Sequence, residues 1–134
     1  MTTTLFHSLT FADVPAAIEF LEAVGFTKRG VYADDAGVVV HAQYDWGDSG
    51  GIMFGAKRSD RASGNPDGFV DSTGHSQCYC VVGTDAEVDE VYARAMAAGA
   101  TSVRQPEDED YGGRGCTVRD REGNQWSFGS YPGE

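Results

Sequence analysis

The chain has 134 residues, 40% of them hydrophobic, and a formal net charge of −11. That length suits one domain able to bury a core without staples, and the charge repels phosphate backbones, which disfavours nucleic acid as a partner. No apolar run approaches the roughly 20 residues of a membrane span, and Met1-Thr2-Thr3-Thr4 lacks the basic start of a secretory signal, so a cytoplasmic location is expected.

Leu5 to Phe11 alternates and predicts a first strand, with Leu5, His7, Leu9 and Phe11 on one face and Phe6, Ser8 and Thr10 on the other. Asp13 is the N-cap of a helix with Pro15 in its first turn, and Gly25 is its stop. Phe26 to Ala33 and Val38 to Tyr44 read as strands joined by the turn-formers Asp34-Asp35-Ala36-Gly37, and Ile52-Met53-Phe54 as a short fourth strand after the turn Trp46 to Gly51. Lys57 to Gly74 is rich in Gly, Ser, Asp, Asn and Pro, has no period, and reads as a connecting loop. The order then repeats: a strand from Gln77 to Val82, a helix from Asp85 to Ala98 with Val88, Val91, Tyr92 and Ala95 on one stripe, and strands at Ala100 to Val103, Gly113 to Arg119 and Gln125 to Ser130. One α+β domain is therefore expected, built of two tandem βαβββ modules over 1–56 and 75–134 with a linker at 57–74.

Cys78, Cys80 and Cys116 are an odd number, and the first two share a strand face where a bridge would strain, so reduced core thiols are expected. No phosphate loop, nucleophile elbow or paired cysteine motif is present. The four consecutive acids Glu107 to Asp110 read as a solvated, self-repelling loop, or as a rim that draws a cation together with Asp45 and Asp48.

The end of the chain has the most specific pattern. Asp120-Arg121-Glu122-Gly123-Asn124 separates Cys116-Thr117-Val118 from Trp126-Ser127-Phe128, as turn residues separate hairpin strands, with Trp126 and Phe128 on one face and Gln125, Ser127 and Gly129 on the other. Tyr-Gly-Gly-Arg at 111–114 followed by Asp-x-x-Gly-Asn-x-Trp-x-Phe resembles the final strands of the glyoxalase, bleomycin-resistance and extradiol-dioxygenase (vicinal oxygen chelate) superfamily. The resemblance implies two paired modules whose curved sheets surround a cleft, often completed by a second subunit, so a homodimer is expected. In metal-dependent members it implies four His, Gln or Glu ligands, two per module.

Carried onto this chain, those positions land on Phe6, beside His7; on His41; near His75; and on Ser127. A His7, His41 and His75 site for one divalent metal, as in a lyase, isomerase or dioxygenase, would need the first strand shifted by one residue, and serine is a poor fourth ligand. The favoured expectation is accordingly no cofactor and no catalysis. The pocket would then be lined by Phe6, Ser8, Thr10, His41, Gln43, Gln77, Tyr79 and Ser127, with Trp46 and Tyr111 near its mouth, and would take a small molecule. By resemblance to bleomycin-resistance proteins, cationic antibiotics are candidate ligands. Arg114 would bind an anionic group or pair with the acidic run. A member of structural or regulatory role stays open as a third reading.

Overall fold

The computed structural model describes residues 2–134. They form two units, one ending at Gly74 and the other spanning His75–Glu134. The first contains β1 (His7–Phe11), α1 (Val14–Val24), β2 (Thr27–Ala33), β3 (Val39–Trp46) and β4 (Gly50–Ala56). The second repeats the order with β5 (Gln77–Val81), α2 (Asp85–Ala97), β6 (Thr101–Asp108), β7 (Arg114–Arg119) and β8 (Gln125–Gly129). This is the tandem βαβββ architecture read from the sequence. Each unit has one four-stranded sheet, ordered β1-β4-β3-β2 and β5-β8-β7-β6. The first strand lies parallel to the last, and a parallel pair needs a crossover, which the helix supplies.

The helices begin and end for local reasons. The Asp13 carboxylate accepts the Ala16 N–H at 3.1 Å, and Gly25, at φ 122°, donates its N–H to the Leu21 carbonyl. Thr84 caps α2 through the Glu87 N–H, while the Glu87 carboxylate reaches back to the Gly83 N–H, a reciprocal arrangement that satisfies two orphan donors. Alternation along the strands then sorts the side chains. Leu9, Phe11, Ala42, Tyr44, Ile52 and Phe54 are buried in the first unit with Phe20, Leu21 and Val24 of α1. Cys80, Cys116, Val118, Trp126 and Phe128 are buried in the second with Val88, Val91 and Ala95 of α2.

Three expectations are corrected. β1 starts at His7, leaving Leu5 81% exposed. β4 takes in Gly50 and Gly51, which pair with Trp46 and Asp45; two adjacent glycines read as a turn, yet the Phe6 ring lies over Gly51 in place of a side chain. β6 continues to Asp108, through Pro106 and half of the acidic run. Pro is tolerated there because β6 is an edge strand, and the irregularities between Ser102 and Glu107 absorb the break in register. The segment between the modules is ordered: it contains a 3-10 turn at Arg58–Asp60 whose Arg58 and Ser59 N–H groups are held by the Asp71 carboxylate, and Asp34 accepts the Ala62 N–H.

Candidate functional site

The motif that carries the family likeness turns out to be structural. Asp120 Oδ1 accepts the N–H groups of Glu122 and Asn124, and Oδ2 accepts Asn124 Nδ2 and Trp126 Nε1, all at 3.0 Å. Asn124 is 1% exposed and its side-chain Oδ1 accepts the Ser76 N–H, tying the hairpin turn to the strand entry of β5. One carboxylate thus sets the turn, and the turn sets which residues of β8 face out. Asp34 makes the same turn between β2 and β3: its Oδ1 accepts the Ala36 and Val38 N–H groups at 3.0 Å, and Gly37 (φ 84°), like Gly123 (φ 101°), supplies the left-handed residue.

Opposite the buried face, each sheet carries a central row of side chains. In the first it runs Ser8, Met53, Gln43, and in the second Tyr79, Ser127, Thr117. The rows correspond, because Ser8 lies five residues before the cap Asp13 (13 − 8) and Tyr79 five before the cap Thr84 (84 − 79). Met53 on β4, rather than His41 on β3, is therefore the counterpart of Ser127, which corrects the assignment of His41 to that position.

A divalent metal does not fit these side chains. His7 is in register with Ile52 and Tyr44 and so faces α1, whereas His41 projects from the opposite face and stacks on Tyr32 at 6.1 Å. The sheet lies between them, so the shift required for a His7, His41 and His75 set is absent. His75 is exposed, ahead of β5. Among the described residues no three His, Cys, Asp or Glu side chains gather as one ion would need. The two rows offer hydroxyls at Ser8, Ser127 and Thr117, a thioether at Met53, a phenol at Tyr79 and an amide at Gln43 whose Nε2 donates to Asp45, and the Ser127 hydroxyl is already bonded to Thr117 Oγ1 at 2.7 Å. Burial lowers the His7 pKa, which keeps this imidazole neutral.

A concavity is found among the described residues of each unit. That of the first, about 400 Å³, is polar: Phe6 and Gln43 line it together with Thr2, Thr3, Arg29, Asp45, Gly47 and Asp48. Asp45 is engaged on both oxygens, by Gln43 Nε2 at 2.9 Å and Arg29 Nε at 3.3 Å. That of the second, about 500 Å³, is lined by Tyr79, Val81, Tyr111, Tyr131, Pro132 and Gly133. Gly129, in register with Val81, lies buried beneath Tyr79, where a Cβ would collide with that ring. The Tyr79 hydroxyl donates to the Tyr131 carbonyl at 2.8 Å, and Tyr111 and Tyr131 meet edge to face at 5.0 Å. Burial, then the neighbouring Tyr111, raises the Tyr79 pKa; the hydrogen bond to Glu134 raises that of Tyr131.

Of the residues singled out from sequence, Phe6 and Gln43 thus meet in the first concavity and Tyr79 and Tyr111 in the second. Ser8, His41, Gln77 and Ser127 lie on the same open faces without lining either one. Trp46 packs on Phe26 at 4.8 Å. Arg114 grips Asp89 of α2 at 2.9 and 3.0 Å and Asp108 at 3.2 Å, which holds it charged and anchors the helix to β7. Glu107 and Glu109 both bind Arg104, so three of the four acids are paired within the sheet, which corrects the reading of the run as a self-repelling loop. Tyr131 was missed by sequence reasoning. It follows β8 in Ser-Tyr-Pro-Gly, and an aromatic residue between turn-formers is its only sequence signal.

The chain belongs to the glyoxalase/bleomycin resistance protein/dioxygenase superfamily, whose family model matches residues 4–128. Among solved structures it is similar to TioX from Micromonospora sp. ML1, at 30% identity over 96% of this chain and 95% of that one, with a TM-score of 0.67. It shares its fold with a lactoylglutathione lyase from Agrobacterium tumefaciens (23% identity, 96% and 90% coverage, TM-score 0.64). The same holds for a glyoxalase/bleomycin resistance protein/dioxygenase family enzyme from Burkholderia phytofirmans PsJN (22% identity, 92% and 94% coverage, TM-score 0.67). No curated protein matches the chain in sequence. No helix among the described residues is long and apolar enough to cross a membrane.

Proposed function

We propose that this chain is a metal-free small-ligand-binding protein of its superfamily, working by sequestration as a homodimer, with cationic antibiotics among its ligands. The observation that carries the reading is on the open faces that hold the central row: Phe6, Met53 and Ser127 supply neither a carboxylate nor an imidazole where the metal-dependent relatives would need one. Beside that row, the aromatic concavity of the second unit has the apolar walls and few polar groups of a ligand pocket. The net charge of −11 favours cations on approach, more so at low salt.

Metal analysis of protein purified without chelator tests the first half. The expected result is substoichiometric metal and an unchanged Tm in EDTA; one zinc, nickel, manganese or iron per chain, lost in His41→Ala, would overturn the reading. Calorimetric titration with a cationic glycopeptide antibiotic tests the second, with affinity expected to fall in Tyr111→Ala and with added salt. Light scattering at twice the chain mass is the expected result for the homodimer.

A further inference from the structure

The hydrogen bonds of the tyrosine cleft constrain what it can hold, given the reading above that a small ligand binds there. A phenol has one proton to donate. Tyr79 gives its proton to the Tyr131 carbonyl, and Tyr131 gives its own to the Glu134 carboxylate at 3.0 Å. Tyr111 stands beside Glu109. The hydroxyls are thus turned to partners within the chain, Pro132 has no N–H to offer, and the Val81 side chain is apolar.

What the cleft presents is π surface. Tyr79 and Tyr111 are 46% and 61% exposed, far more than a core aromatic, and Tyr131 is set edge to face against Tyr111. A phenol that donates to a carboxylate gains electron density in its ring, which strengthens the negative face that attracts a cation. The side-chain charges that act on these rings are the carboxylates Glu109 and Glu134 and the Arg104 guanidinium, which is itself paired with Glu107 and Glu109 and leaves Glu134 alone. A ligand that relies on accepting hydrogen bonds finds no phenolic proton turned toward it, and an anion meets carboxylates.

We propose that the Tyr79, Tyr111 and Tyr131 cleft is a cage for an organic ammonium group, methylated or part of a larger cation, held by ring faces rather than by direct ion pairing. Gly129 is the position that makes the cage, because any side chain there would push the Tyr79 ring out of line.

Choline and 3,3-dimethylbutan-1-ol have the same shape and differ by the positive charge, so they isolate the claim. In calorimetry and in NMR of the tyrosine ring signals on the full chain, choline is expected to bind about tenfold tighter than the alcohol. Tyr131→Phe, which keeps the ring and loses the bond to Glu134, and Glu134→Gln are expected to weaken choline while leaving the alcohol unchanged. Tyr111→Leu, at an exposed position, should abolish the preference with the circular dichroism spectrum intact. Equal binding of the two compounds, no shift of the tyrosine signals, or an unchanged preference in Tyr111→Leu would overturn the cage. None of these results touches the metal-free reading, which fails only through the metal analysis above.

Discussion

Asp120 holds four donors of the second unit at once. Its two oxygens receive two backbone N–H groups, an amide and the indole of Trp126, so Asp120→Ala would strand donors around a residue that is wholly buried. Urea unfolding should show a loss of about 3 kcal/mol, near the upper range for bonds to a charged group. His7 gives a pH-dependent counterpart in the first unit. Its folded pKa lies below 6.5 because burial disfavours the charged form, so the unfolded chain takes up a proton before the folded one does. The sign follows: stability is full above 6.5 and falls as pH drops through the folded value. His7→Leu should flatten that dependence, seen as a smaller difference between unfolding midpoints measured at about pH 7.5 and about pH 5.

At the scale of elements, bare glycine under an aromatic ring recurs on the open faces: Phe6 covers Gly51 of β4, and Tyr79 covers Gly129 of β8. Gly129→Ala should therefore displace Tyr79, break its bond to the Tyr131 carbonyl and reduce ligand affinity at the cleft by about tenfold, with little change in the circular dichroism spectrum. Much of this level was legible beforehand. The period of two in Gln125 to Gly129 put Trp126 and Phe128 on one face and Ser127 and Gly129 on the other, as observed, because a buried face leaves no freedom of register. β6 was underestimated for the opposite reason: Pro106 and the acids after it are poor strand formers, and only its place at the sheet edge, with Arg104 and Arg114 to pair the acids, lets the strand continue. Composition along one segment cannot report what lies beside it.

For the molecule as a whole, the net charge of −11 is not concentrated where the acidic run suggested. Asp45, Asp89, Glu107, Asp108 and Glu109 are each bonded to an arginine, so the acids that looked poised to attract a cation are largely spent holding strands and a helix in place. The histidines show how far a site can be read without coordinates. Their spacing matched metal-ligand positions only by sequence distance, and the pairing of His7 with Ile52 put a sheet between it and His41. Tyr131 entered the site through the hydrogen bond from Tyr79, a contact across 52 residues that no local pattern announces. The placement of the two tryptophans has a practical corollary. Trp46 belongs to the first unit and Trp126, sealed at 0% exposure by its bond to Asp120, to the second. Trp46→Phe should leave a single blue-shifted emission, resistant to acrylamide quenching, that follows the melting of residues 75–134, while Trp126→Phe would follow its neighbour, so that intrinsic fluorescence can tell whether the repeats lose structure together or one at a time.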